Sequence, residues 1–399
     1  MCANFARQGS AVATLSIFAV PMSSTFGWSM TEFSGAVSLG GLLGAVISPS
    51  VGVIIDNRGA GRILVAGTLA IGVSMLLLSQ TYSLIWFYAA FCLGRMAFAG
   101  PFEIAITSAV ANWFIHLRGR AMSLTALAHS IGLSILPIVA FTAIDWWGWR
   151  MGWVTIAALV LLVGVVPNCF LMIQRPEDAG LRPHAKDQSN GKTNCIGDVA
   201  HTEQSLTRSE ALRTRTFWLL IAFSMLIYPV QAGVSLHQAP HLIERGISMG
   251  AAAIAVSLFS LMAAVGSLFF GQIEMRLGAY RSLAGASILM ALGALTMLMI
   301  SGVWTAYLSA ITFGAGIGGL LTLLPVAWAN SFGRQNLGAI RGITLPVQTV
   351  AQATGPLLSG VIFDLTGSYD VSLTVFCIFG FASGLLILFG ARSWRVTSQ

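Results

Sequence analysis

The sequence predicts an all-α membrane protein: twelve transmembrane helices arranged as two parallel six-helix bundles. Three observations predict it. The 399-residue chain is 56% hydrophobic and only 9% charged, with a mean hydropathy of +0.81. Soluble domains carry about 25% charged residues, so these charges are too few to cover a water-facing surface. The apolar residues fall into runs of roughly 20, the length that crosses a bilayer. Finally, the second half of the chain repeats the first.

Candidate spans lie at 8–25, 33–55, 62–80, 84–113, 120–144, 150–173, 216–240, 250–272, 281–300, 303–330, 340–364 and 371–391. Six fall on each side of a polar stretch, giving an N-terminal bundle at 1–173, a cytoplasmic central loop at 174–215 and a C-terminal bundle at 216–399. The first span is the weakest. Its apolar core, AVATLSIFAVPM (11–22), is short and follows Arg7, as in a secretory signal. No small-residue cleavage site follows. A genuine first helix is expected, short at its start, with the true start codon upstream of Met1.

The short connections fix the expected orientation. Of 21 lysines and arginines, 17 fall on the connections after even-numbered spans, in the central loop or in the tail, among them Arg58, Arg62, Arg118, Arg120, Arg276, Arg281, Arg334 and Arg341. Only Arg150 and Arg245 fall on the other side. The positive-inside rule then places both termini in the cytoplasm. The formal charge of +7 does not indicate nucleic acid, because the basic residues stand singly or in pairs and form no tract with interleaved aromatics. Cys2, Cys92, Cys169, Cys195 and Cys377 form no CxxC pair, which argues against a disulfide framework or a zinc site.

A shift of 219 residues lays 26–64 over 245–283 without a gap. Gly52, Gly59 and Arg62 then fall on Gly271, Gly278 and Arg281, and Pro137, Asp145 and Gly148 fall on Pro356, Asp364 and Gly367. Apolar composition matches alanines and leucines by chance, but it does not align glycines and arginines at the turns. Six spans per repeat make the halves parallel, related by an axis along the membrane normal. Such halves enclose a site near mid-bilayer and can rock about it, which is the architecture of a secondary transporter.

The turn between spans two and three, GVIIDNRGAGR (52–62), concentrates charge in a chain that has little. Its glycines allow a tight turn and close helix contact. Its charges meet other polar groups at the cytoplasmic rim, where they can hold that side shut in one state and part in another. This stretch resembles the signature loop of the major facilitator superfamily, carried here by Gly52, Asp56, Arg58, Gly59 and Arg62, with Asn57 inserted. A degraded second copy carries Glu274, Arg276 and Arg281. GRMAFAG (94–100) resembles the family's fourth-helix motif, and ANWFIHLRGRAMSL (111–124), with Arg118 and Arg120, its next cytoplasmic turn. FGWSMTEFS (26–34), RPEDAGLRP (175–183) and GVIFDLTGSYD (360–370) resemble the monocarboxylate-porter and oxalate–formate-exchanger branch. The resemblance implies small organic anions as substrates. The chain departs from it in the eighth span, which has no charged residue near Ser267, and in the eleventh, which offers Gln348 and Gln352 but no interior lysine.

Ionisable groups inside a bilayer cost about +2.5–3.5 kcal/mol on insertion scales. Arg95 and Glu103 lie on the fourth span with Pro101 between them; eight residues put them about 12 Å apart along a helix axis. Arg95 is the expected ligand for an anion. Glu103 and His129 both sit about 15 Å from the cytoplasmic ends of their spans, so a proton-accepting pair, and coupling to protons, is expected. His237 and Gln238, in HQAPH (237–241), are expected to line an outer vestibule; the stretch lacks the glutamate of a HExxH zinc site. Two motif matches mislead. GAGIGG (314–319) lies inside a span with no preceding strand, and NGKT (190–193) lacks the glycine that opens a phosphate loop. With no nucleophile set, clustered carboxylates or metal ligands, no enzyme and no cofactor are expected. The expectation is a monomeric transporter in a bacterial-type inner membrane, carrying a small anion such as a monocarboxylate. The alternatives are an exporter or antiporter of another small molecule and, more remotely, a membrane sensor.

Overall fold

A computed structural model describes residues 1–28, 30–114, 117–170, 172 and 205–392. RPEDAGLRP, most of the central loop and the residues after Arg392 lie outside them. The helices run α1 (Cys2–Arg7), α2 (Val12–Phe26), α3 (Met30–Arg58), α4 (Ala60–Ser79), α5 (Leu84–Ala99), α6 (Pro101–Trp113), α7 (Arg118–Phe170), α8 (Arg208–Arg213), α9 (Arg215–Glu244), α10 (Met249–Leu277), α11 (Ala279–Leu298), α12 (Val303–Phe332), α13 (Leu337–Thr366) and α14 (Asp370–Arg392).

Twelve crossings emerge once the breaks are understood. Nine helices among the described residues are long and apolar enough to cross a membrane. One of these, α7, turns back at Gly148, whose φ of 80° and ψ of 165° are not helical, and so holds two crossings. The thirty-residue α13, outside those nine, adds one more crossing. The first crossing is α1 and α2 together, broken by a 3₁₀ turn at Gln8–Ser10. There the Gln8 carbonyl accepts the Ala11 N–H at 3.0 Å and the Thr14 hydroxyl at 2.8 Å. The fourth crossing breaks at Gly100, because Pro101 has no N–H to donate and disfavours helical geometry in the residue before it. These two breaks set the frame of the central site.

The repeat is visible in the backbone. Gly27, Gly59 and Gly148 have left-handed φ values of 72°, 87° and 80°, and 219 residues on Gly246, Gly278 and Gly367 have 80°, 81° and 70°. Such angles are strained for any residue with a Cβ, so both copies kept glycine where the chain reverses.

Two apolar cores form. One gathers Phe18, Phe87, Phe102, Trp153 and neighbours between residues 3 and 160, plus Leu345 from across the cleft. The other gathers Phe223, Phe313, Trp328, Phe376 and neighbours between 211 and 387, plus Ala111 and Met122 from the first bundle. Outside them, Val46, Ile85, Phe170 and Leu365 expose 75–84% of their surface, as side chains solvated by lipid do. Arg58, Arg62, Arg120, Arg276 and Arg281 are exposed at one end of the bundles, here called the basic face. Tyr82, Trp146, Trp147 and Trp304 are exposed at the opposite end, where amphipathic rings suit the lipid–water interface.

Candidate functional site

Polar side chains gather at the breaks. Arg7 ends α1 just before the 3₁₀ turn, and Glu103 sits in the first turn of α6 just after Gly100. Arg7 Nη1 donates to Glu103 Oε2 at 2.5 Å. From the other bundle, Arg341 Nη2 lies 3.8 Å from Glu103 Oε1. One carboxylate thus spans both halves of the molecule. Arg341 is only 1% exposed; its Nη1 donates to Gln348 Oε1 at 3.3 Å, and Gln348 Nε2 donates to Ser224 Oγ at 3.4 Å. Arg341 and Glu103 thus tie the two bundles together at this level.

Arg95 lies two turns of helix from Glu103. Its Nη1 donates to the Ser10 carbonyl at 3.3 Å, an acceptor left available by the break in the first crossing. The guanidinium carbons of Arg7 and Arg95 each lie 4.3 Å from the centroid of the Phe98 ring. That ring holds two like charges near each other. Arg7 Nε, Arg95 Nε and Arg341 Nε are buried without a hydrogen-bond partner. Two of the three guanidiniums thus reach the one carboxylate, Glu103, and Arg95 stands beside Arg7.

His129 belongs to the same region, but its ring nitrogen Nδ1 lies 2.8 Å from Gln8 Nε2. The sequence expectation of a Glu103–His129 pair is corrected in this respect: Glu103 takes Arg7 and Arg341, and His129 takes Gln8. The broken first crossing brings Arg7 to Glu103 and Gln8 to His129, while Glu103 and His129 stay within electrostatic reach of each other. A second correction concerns Arg341, counted above among the loop arginines. Helix α13 starts at Leu337 and carries Arg341 one turn inside the bundle. Gln352 Nε2 donates to Gln231 Oε1 at 3.0 Å. Tyr228 lies within electrostatic reach of Arg341, Glu103 and Arg7.

Nearer the far face, His237 Nε2 lies 3.4 Å from the Pro356 carbonyl, with its ring 5.0 Å from that of Tyr369. Gln238 is 3% exposed. The buried His241 ring meets the Met297 carbonyl at 3.1 Å. Among the described residues no group of three His, Cys, Asp or Glu side chains could hold a metal.

At the basic face the bundles meet in two places related by the repeat. Asp56, near the end of α3, accepts the N–H groups of Gly338 and Ala339 at 2.8 and 2.6 Å. It thereby caps the start of α13, where a helix dipole favours negative charge. Gly52 makes this approach possible: a Cβ there would stand 2.1 Å from the Gly338 carbonyl oxygen. Shifted by 219 residues, Gly271 packs on Gly119, where a Cβ on Gly119 would stand 3.0 Å from the Gly271 oxygen. Glu274 takes hydrogen bonds from the Gly119 backbone and the Asn330 side chain. Arg118 Nη1 donates to Asn330 Oδ1 at 2.9 Å, Arg120 Nε to Gln272 Oε1 at 2.8 Å and Arg334 Nη1 to the Asn112 carbonyl at 3.1 Å. Apart from the Glu274–Asn330 bond, each of these runs between the bundles, and together they join the two at the basic face. Arg58, Arg62, Arg276 and Arg281 stay exposed around it.

Comparison with known proteins places this geometry. The family model described as Major Facilitator Superfamily matches residues 1–237. The chain is 26% identical to Monocarboxylate transporter 12-B of Danio rerio, across 96% of this chain and 83% of that one. It is 24% identical to Membrane sensor protein UhpC of Escherichia coli strain K12, across 73% and 68%. Among solved structures, a Major Facilitator Superfamily transporter, FucP, in the outward conformation superposes with a TM-score of 0.74 at 13% identity, covering 98% and 97% of the two chains. At that identity the likeness shows the fold alone. With the family model covering more than half its length, the repeat written into its turns and twelve crossings around a polar centre, the chain belongs to the Major Facilitator Superfamily.

Proposed function

We propose that the chain is a secondary active transporter that carries a small organic anion by alternating access. The observation that carries this reading is the excess of buried guanidinium inside the bundles: Arg7, Arg95 and Arg341 against Glu103. Uncompensated charge there is expensive, and an anion passing through relieves it. The units 1–173 and 216–399 rock against each other, and Asp56 with Gly338, and Glu274 with Gly119, latch the basic face. By the positive-inside rule that face is cytoplasmic, with both termini on it, in a bacterial-type plasma membrane. The conformation described above is then the outward-facing one, in a protein that works as a monomer.

Protons are the proposed coupling ion. Neutralising Glu103 releases Arg341, and with it the deepest bond between the bundles. The test is uptake of radiolabelled small carboxylates into proteoliposomes, with and without a pH gradient, for the wild type and Glu103→Gln. Uptake driven by the gradient in the wild type and indifferent to it in the variant supports the reading. Undiminished pH dependence in the variant removes the proton role, and uptake of sugars alone removes the anion. Binding of anions with no uptake would instead assign the chain to the sensors, a reading that its likeness to UhpC keeps in view.

A further inference from the structure

We propose that the central site takes a dianion, a small dicarboxylate, in preference to a singly charged acid. This rests on the anion-transport reading and narrows it. The charge balance carries it first. Glu103 neutralises one of the three guanidiniums, through its contacts with Arg7 and Arg341. Two positive charges remain. No other acidic side chain contacts the three guanidiniums among the described residues: Asp56 and Glu274 serve the gate, and Glu244 and Asp370 lie near the far face. His129 and Tyr228 face the cluster but supply no negative charge in their ordinary forms. While the cleft is open, water reaches the partly exposed Glu103 and Arg95. On closing around cargo that water leaves, and the balancing charge must come from the cargo itself.

The layout of the donors carries it second. Arg7 and Arg95 form one station on the first bundle, held by Phe98, each with a buried Nε that has no partner. Arg341, with its own unpartnered Nε and with Gln348 beside it, forms another on the second bundle. Glu103 already lies between Arg7 and Arg341. A monocarboxylate adds one negative charge to this set and leaves one guanidinium unbalanced, whereas a dicarboxylate balances both and offers carboxylates to the two stations at once.

The experiment is calorimetric titration of the purified full chain in lipid nanodiscs at neutral pH, where both carboxyls of succinate are ionised. The probes are succinate and butyrate, which match in carbon number and differ by one charge. Succinate is expected to bind about tenfold to hundredfold tighter, the worth of one further charge-assisted hydrogen bond set. Arg95→Gln should bring the two within about threefold of each other, and Arg95→Lys should retain the preference. A melting profile like the wild type's qualifies each variant; should Arg95→Gln not fold, the wild-type ratio decides alone. Butyrate binding as tightly as succinate overturns the inference and leaves the anion reading standing. If neither binds, the anion reading falls and takes the inference with it.

Discussion

Replacing Gly338 with alanine should open the basic face. A Cβ at that position would stand 2.6 Å from both the Gly52 carbonyl oxygen and Asp56 Oδ1, whereas ordinary contact begins at 3.4 Å. The backbone of α3 cannot yield locally, so the two helices must part by about the difference, 3.4 − 2.6, or roughly 0.8 Å. The bond from Gly338 N to Asp56, now 2.8 Å, then approaches the length at which it ceases to be a hydrogen bond. Overpacking of this kind costs about 1–3 kcal/mol. That shifts the balance between closed and open gates by roughly fivefold to more than a hundredfold. The reporter is Leu345→Cys in a cysteine-free background, since Leu345 lies two turns past Gly338 on α13 and is buried in the core of the first bundle. Labelling by a membrane-impermeant thiol reagent applied to the basic face should quicken about tenfold or more in the alanine variant. The control is Gly41→Ala, a site where an added Cβ meets nothing within 4 Å. Equal labelling rates in all three proteins would refute the gate as described.

Two further outcomes follow from the same contacts. Phe98→Leu keeps both arginines but removes the ring on which they rest; with a cation–π contact worth about 0.5–1 kcal/mol or more, carboxylate affinity should fall about threefold to tenfold while the fold survives, and titration of the variant checks it. Arg150→Gln removes donors to the Ser79 and Thr81 carbonyls at the end of α4, at 2.9 and 3.0 Å; losing two charge-assisted bonds on an exposed side chain should cost about 1–3 kcal/mol and lower the melting temperature by a few degrees without changing substrate preference.

Part of the join at the basic face was legible because it was written twice: Asp56 and Glu274 make contacts between the bundles, while Arg58, Arg62, Arg276 and Arg281 stay exposed. Gly52 and Gly271 align in the sequence at the same shift that relates Gly119 to Gly338, and the glycines at the turns mark positions where only a residue without a Cβ fits. The central site was legible in part. Arg95 and Glu103 stand out as charges within an apolar run, and that signal needs no partner to be seen. Arg341 did not stand out, because an arginine four residues past a helix start looks the same in sequence whether it faces water or turns inward. Gln348, seven residues on and therefore on the same helix face, was the available clue. Arg7 was hidden by the break at Gln8–Ser10, which no proline announces. The pairing of Glu103 could not be read at all, since depth along two helices does not say which side chains meet.

The central claim is that the bundles must separate at the basic face for an anion to cross. The most direct measurement joins them there. Arg120 and Gln272 touch across the cleft, so Arg120→Cys with Gln272→Cys in a cysteine-free background can be linked by a short cleavable bifunctional thiol reagent. Uptake should stop in the linked protein and return when the linker is cleaved, while anion binding persists throughout and each single variant still transports after treatment with the reagent. Full uptake through the linked protein would contradict the account.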